Sequence, residues 1–120
     1  MDKEKTDTLC NEFSCLYDKD FYFECNEGWF DLIYALSKRL EVHILNIPKR
    51  NQHFTKAVQV KEKFGAMRFY MSSGTEEMLD LINKAEKKST KVCEACGKSG
   101  KVIWSNGWAT TLCSDCHRKR

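Results

Sequence analysis

The chain has little proline and no long apolar run. Pro48 is its one proline, no repeat or low-complexity tract occurs, and no apolar stretch approaches the eighteen or so residues of a membrane-spanning helix. These shortages exclude a Pro-rich disordered chain, a repeat array and a transmembrane helix. Histidine is also scarce: His43, His53 and His117 lie in separate segments, with no H-E-x-x-H, P-loop or G-x-S-x-G motif. Nucleases of the His-Asn-His type combine two C-x2-C pairs with histidines, but His53, Asn106 and His117 lack the spacing of that strand-helix arrangement. No catalytic constellation results, and a non-enzymatic protein is expected.

Cysteine, by contrast, is abundant. Cys93-Glu94-Ala95-Cys96 and Cys113-Ser114-Asp115-Cys116 are two C-x2-C pairs separated by sixteen residues. That spacing brings four thiolates around one tetrahedral zinc, so Cys93, Cys96, Cys113 and Cys116 are the expected ligands of one structural Zn2+. A catalytic zinc would keep an open position, which four thiolates fill. Disulfides are the competing use of these residues, but the chain lacks the features of a secreted disulfide framework. His117, next to Cys116, is a second candidate for the fourth ligand position. Small residues such as Gly97 are expected to donate backbone N–H groups to the thiolates. Between the pairs, the β-prone runs 101–104 and 108–112 flank Ser105-Asn106-Gly107, a hairpin signal. The remaining cysteines, Cys10, Cys15 and Cys25, read as buried free thiols.

At 120 residues the chain supports one modest core, with 42% hydrophobic residues. It begins Met-Asp-Lys-Glu-Lys, without the features of a targeting peptide, so a reducing cytoplasm is expected. The formal charge is +3. Four thiolates on one zinc would bring it to about +1, which weakens a purely electrostatic case for nucleic acid. The charge is unevenly spread: residues 1–31 hold nine acids and three bases, residues 38–68 eight bases and two acids.

Leu9, Cys10, Phe13, Leu16 and Tyr17 have helical spacing, which predicts a docking helix after a start, residues 1–8, open to fraying. Residues 21–25 read as a strand or ordered connector before the Asn26-Glu27-Gly28 turn. Trp29, Ile33, Leu36, Leu40, Ile44 and Ile47 form one apolar stripe, the main core helix, stopped by Pro48. His43 borders that stripe as an ordinary edge histidine, and residues 49–53 read as a polar, basic loop. Val58, Val60, Glu62 and Phe64 then alternate with Gln59, Lys61 and Lys63 as a half-buried strand. Met67, Phe69 and Met71 alternate with Arg68 and Tyr70 as its partner, joined by a turn at Gly65-Ala66. The solvent face of this hairpin would present Lys61, Lys63, Arg68 and Tyr70 together, able to grip phosphate and stack bases or simply to keep the strands soluble. Thr75, followed by Glu76 and Glu77, reads as the N-cap of a last core helix carrying Met78, Leu81, Ile82 and Ala85.

Three stretches, Gly28-Trp29-Phe30-Asp31-Leu32-Ile33, Val60-Lys61-Glu62-Lys63-Phe64-Gly65-Ala66-Met67-Arg68-Phe69-Tyr70 and the C-terminal C-x2-C pairs, resemble a family of small bacteriophage and prophage proteins of unassigned activity. The family's central run is K-E-K-F-G-G-L-R-F-Y, with Ala66 and Met67 here in place of the second Gly and the Leu; the likeness covers about residues 21–117. Ala66 tolerates φ > 0 poorly, so a turn with φ > 0 only at Gly65 is expected. The resemblance implies an accessory protein made inside a bacterial cell that binds host factors, defence proteins among them.

The sequence thus predicts an α+β fold: two or three helices on a short antiparallel hairpin within residues 1–90, and a zinc ribbon, residues 91–120, packed against it. The expected function is binding of a host protein through aromatic and basic side chains, among them Tyr70, Trp104 and Trp108, with Trp29 a core candidate. The alternative is nucleic-acid binding through Lys61, Lys63, Arg68 and the tail with Arg118 and Arg120, favoured if these share a face. The oligomeric state stays open.

Overall fold

The computed structural model describes residues 1–119, and Arg120 lies outside them. The fold is α+β. Helix α4 (Glu76–Ser89) packs on the antiparallel hairpin of β1 (Ala57–Lys63) and β2 (Ala66–Met71), helix α2 (Phe30–Leu45) packs on α4, and α1 (Lys3–Glu12) packs on α2. A second hairpin, β3 (Lys101–Ser105) and β4 (Trp108–Leu112), leads into α5 (Ser114–Lys119). Pro48 precedes a short helix, α3 (Lys49–Gln52), where the sequence suggested a loop.

The predicted periodicities account for most of the core. Ile33, Leu36, Leu40 and Ile44 are the buried stripe of α2. Ser37 falls on the same stripe and is buried because its Oγ meets the Tyr17 hydroxyl at 2.6 Å. Trp29 sits in a 3₁₀ turn, Glu27–Trp29, that delivers the chain into α2. α4 starts where Thr75 Oγ1 accepts the Met78 N–H at 3.2 Å, and buries Met78, Leu81, Ile82 and Ala85. α1 is shorter than its pattern. It ends at Glu12, and Phe13, Leu16 and Tyr17 are buried from the turns that follow. Its start is tied rather than frayed, because Asp2 Oδ1 caps the Lys5 N–H and the Met1 ammonium donates to the Cys25 carbonyl at 2.6 Å.

Both edges of the first hairpin are covered. On β2, the Phe69 N–H donates to the Glu86 carboxylate and the Met67 N–H to Ser89 Oγ, each at 2.8 Å, so α4 side chains replace a missing strand. On β1, Glu24 forms a single bridge: its N–H donates to the Val60 carbonyl at 2.9 Å and its carbonyl accepts from the Glu62 N–H at 3.1 Å. Two details depart from strict alternation. A register shift between Ala57 and Gln59 makes Val58 a bulge, and its side chain faces solvent while Ala57 and Val60 are buried. The two-residue loop is Phe64-Gly65, with φ of 54° and 84°, and Ala66 is the first residue of β2 opposite Lys63. A loop with φ > 0 at both positions matches the twist of the flanking strands. Phe64 is therefore exposed in a conformation that costs an L-residue roughly 1–2 kcal/mol.

The C-terminal unit is fastened to this body by backbone. The Gly28 N–H donates to the Glu94 carbonyl at 2.7 Å, and the indole N–H of the fully buried Trp29 donates to the Val92 carbonyl at 2.9 Å. A Cβ on Gly28 would stand 2.1 Å from the Cys93 carbonyl oxygen and 2.4 Å from the Glu94 carbonyl carbon, so only glycine permits the approach. At the other end of the seam Thr111, fully buried, donates from its hydroxyl to the Gly65 carbonyl.

Gly28→Ala should therefore lower the stability of the whole protein by about 3 kcal/mol, the upper range for overpacking against rigid neighbours. Gly107→Ala, at φ 81° with nothing within 4 Å, should cost about 1 kcal/mol, for backbone strain alone. Paired denaturant melts decide; equal losses would remove the seam as a structural constraint.

Candidate metal centre

The four predicted cysteines converge. The sulfurs of Cys93, Cys96, Cys113 and Cys116 all lie within 4.8 Å of one another. Two local structures bring them there. Val92 and Ser99 bridge antiparallel, and within that small loop the Cys93 N–H donates to the Lys98 carbonyl at 2.7 Å. Cys113 follows β4 directly, and the first turn of α5 returns Cys116 so that its N–H reaches Cys113 Sγ at 3.4 Å. The β3–β4 loop is Asn106-Gly107, with φ of 52° and 81°, the predicted hairpin turn. The Glu94 N–H, donating to the Thr111 carbonyl at 2.9 Å, locks the two halves together.

The donor set fits a metal. A tetrahedral thiolate shell with metal–sulfur bonds near 2.3 Å separates neighbouring sulfurs by about 3.8 Å. Cys96 and Cys113 stand at 3.6 Å, far from the roughly 2.05 Å of a disulfide. All seven cysteines are free thiols; Cys10 and Cys25 are buried and Cys15 half-buried. His117 is exposed and outside the cluster, and its N–H donates to the Cys113 carbonyl at 3.0 Å. Gly97 plays a different part from the predicted one: its N–H donates to the Cys93 carbonyl at 2.9 Å, and the N–H of Lys98 approaches Cys96 sulfur instead.

Electrostatics divide the cluster, favouring thiolate at Cys93 and Cys113 and opposing it at Cys96 and Cys116. Burial raises the Cys93 thiol, but the N–H groups of Cys113, Cys96 and Ala95 outweigh it and bring Cys93 down to about 6. The N–H of Cys116 is the main influence lowering Cys113. Hydrogen bonding with the Cys113 and Cys96 sulfurs holds Cys116 up to about 12.

Beside the cluster lies Glu94, a buried carboxylate that accepts the Asn26 N–H at 3.1 Å. Burial raises its pKa above the ordinary 4.5, although the Asn26 N–H pulls the other way.

The other predicted site residues are distributed differently. The β1–β2 register sets Lys61 opposite Arg68, with Lys63 and Tyr70 on the same face, so the expected basic and aromatic group is real. The face is not purely basic, since Glu24 bridges Lys61 and accepts from Gln59 Nε2 at 2.8 Å. Trp104 and Trp108 are both exposed, yet the register puts them on opposite faces of the ribbon hairpin, Trp104 with Ala109 and Trp108 with Ser105. Arg118 pairs with Asp115 one turn back in α5, and Arg120 lies outside the described residues. Sequence reasoning missed Phe64 and Val58, taken as core strand positions. The signal for Phe64 was the F-G pair itself, a two-residue loop one position earlier than the one chosen.

Comparison with protein-family models, with curated proteins and with solved structures returned no match.

Glu94→Ala should cost about 1–3 kcal/mol by leaving the Asn26 N–H unpaired, while Glu94→Gln keeps an acceptor. Because the folded pKa of Glu94 is raised, ionising it costs stability as pH climbs above 4.5 through the folded value. The advantage of Glu94→Gln over wild type should therefore grow with pH in denaturant melts. A difference independent of pH would show that the carboxylate is not strained by burial.

Proposed function

We propose that this chain is a non-enzymatic, zinc-stabilised accessory protein of bacteriophage or prophage type, made in the cytoplasm of a bacterial host, where it binds and inhibits a host defence or regulatory protein. Zn2+ is the metal assigned to Cys93, Cys96, Cys113 and Cys116, since four thiolates in a closed tetrahedral shell suit a structural zinc. When bound, it supplies cross-linking rather than chemistry. It would hold β3–β4 and α5 in one orientation and, through Glu94, Val92 and Thr111, anchor them to the body.

The observation that carries the binding reading is the exposure of Trp104 and Trp108, at 66% and 70%, at the end of this ribbon. Large aromatic side chains left in water on a braced hairpin cost solvation free energy, and interface anchors are drawn from this class. Phe64, exposed and held at positive φ, adds a third ring on the side where Gly65 meets Val102 and Thr111. Strained, exposed side chains of this sort cluster at functional sites. The resemblance through Val60–Tyr70 supplies the phage and host context. The shared face of Lys61, Lys63, Arg68 and Tyr70 supports nucleic-acid binding as a second reading.

Tagged, zinc-loaded protein should retain a host protein from a bacterial lysate after nuclease treatment, and Trp104→Ser/Trp108→Ser should abolish retention without lowering thermal stability. Material that disappears with nuclease and washes off with salt would instead assign the function to the basic face. For the metal, Cys113→Ser should reduce bound zinc from about one per chain to about none by elemental analysis and unfold at least the ribbon. Apparent zinc affinity should fall by about tenfold or more per unit as pH drops below neutrality, because binding displaces protons from the thiols held above their ordinary value, Cys96 and Cys116.

A further inference from the structure

At the opposite end of β1 from the ribbon lies a cleft of about 820 Å³ that the preceding roles leave unused. β1 runs from Ala57, in this cleft, to Lys63 beside the Phe64-Gly65 loop, roughly 20 Å at about 3.3 Å per residue. Three large apolar side chains line the cleft from three different segments: Tyr22, Phe54 and Val58, exposed by 68%, 62% and 60%. None is exposed by accident of a loose loop. Tyr22 points outward because its neighbours Phe21 and Phe23 stack on Tyr17 inside, with ring centroids 5.0 and 5.1 Å away. Val58 points outward because the β-bulge re-aims it. Phe54 is held by a turn in which its N–H donates to the Asn51 carbonyl at 3.2 Å, while its carbonyl accepts from the hydroxyls of Ser72 and Ser73.

The rim of this apolar floor is acidic. Asp18, Asp20 and Glu24 line it with one lysine, Lys56, already paired to Asp18 at 3.0 Å, and with His53, whose ring packs on Phe54 at 3.9 Å between centroids. Among the described residues no cation lies within ion-pair distance of Asp20 or Glu24. Preorganised apolar side chains beside a rim in which carboxylates outnumber the one lysine are complementary to an apolar anchor flanked by positive charge, and disfavour phosphate.

We infer that the cleft lined by Tyr22, Phe54 and Val58 docks a basic peptide segment of a partner protein, which seats one aliphatic or aromatic side chain among the three and presents Lys or Arg to Asp20 and Glu24. This rests on the reading of the chain as a binding protein, and adds a second contact whose chemistry differs from that of the ribbon tryptophans.

The test is to pan the full-length, zinc-loaded protein against a library of random linear peptides, then titrate the synthetic consensus peptide by fluorescence anisotropy. The expected consensus is an apolar residue flanked by Lys or Arg. Its affinity should fall about tenfold or more in Phe54→Ser and in Asp20→Lys, weaken with added salt, and be unchanged in Trp104→Ser. Asp20 is exposed, and among the described residues its side chain takes part in no hydrogen bond or ion pair, so Asp20→Lys should melt like wild type and keep the test valid if Phe54→Ser destabilises the turn. The inference is overturned if no peptide is enriched, if the consensus is acidic or uncharged, or if the cleft variants bind it as wild type does. Concentration-dependent dimers lost in Asp20→Lys, or oligonucleotide binding lost in Phe54→Ser, would overturn it in favour of a second copy or a nucleic acid. Host-protein capture that depends on Trp104 and Trp108 while the cleft fails would sink this inference alone. Loss of both would sink the binding reading itself.

Discussion

The seam between Gly28 and the Cys93-Glu94 backbone is the contact on which the rest of the molecule depends. It is made of main chain on both sides, which is why it tolerates no Cβ and has little freedom to relax. From it the structure runs in two directions. Toward the body, the next residue is Trp29, whose ring is the largest fully buried side chain among the described residues and whose indole N–H is satisfied by the Val92 carbonyl. Toward the ribbon, the next residue is Cys93, the most buried of the four clustered thiols. The core and the cysteine cluster are thus consecutive parts of one packed unit.

This coupling gives the cysteine cluster a purpose beyond stapling thirty residues. A short hairpin with two exposed tryptophans has almost no apolar core of its own; Cys93, Ala109, Leu112 and Cys113 are the buried apolar residues of the ribbon. Cross-linking by a metal would compensate for that shortage and fix the hairpin at one angle to the body. The price of the orientation is visible at Phe64, held at positive φ by a loop whose carbonyl accepts from Thr111 and whose Gly65 N–H donates to Glu62 at 2.8 Å. Three surfaces follow along one axis: the acidic aromatic cleft at the start of β1, the mixed basic face along the strands, and the aromatic ribbon beyond their loop.

Local signals in the sequence were legible where chemistry leaves one solution. Four cysteines as two C-x2-C pairs, Asn106-Gly107 between β-prone runs, and Thr75 ahead of Glu76-Glu77 each specify a geometry through residues within a few positions of one another. The α+β class and the helical stripes of α2 and α4 were legible for the same reason, since burial on one face demands the period of the element. The misreadings share the opposite property. Alternation from Val58 to Phe64 assigned both ends of β1 to the core, but a bulge shifts the pattern at one end and a positive-φ loop ends it at the other. Either change depends on what the strand packs against.

The sequence by itself determined the α+β class, the two long core helices, the four clustered cysteines and the Asn106-Gly107 turn, because propensity, period and ligand spacing are local. Only the tertiary structure decided which aromatics are buried. Trp29 and Trp104 sit in similarly apolar surroundings along the chain, yet one is sealed by the ribbon's own backbone and the other is left in water beyond it. Burial is settled by what arrives from elsewhere in the chain, and for Trp29 that was Val92, sixty-three residues away.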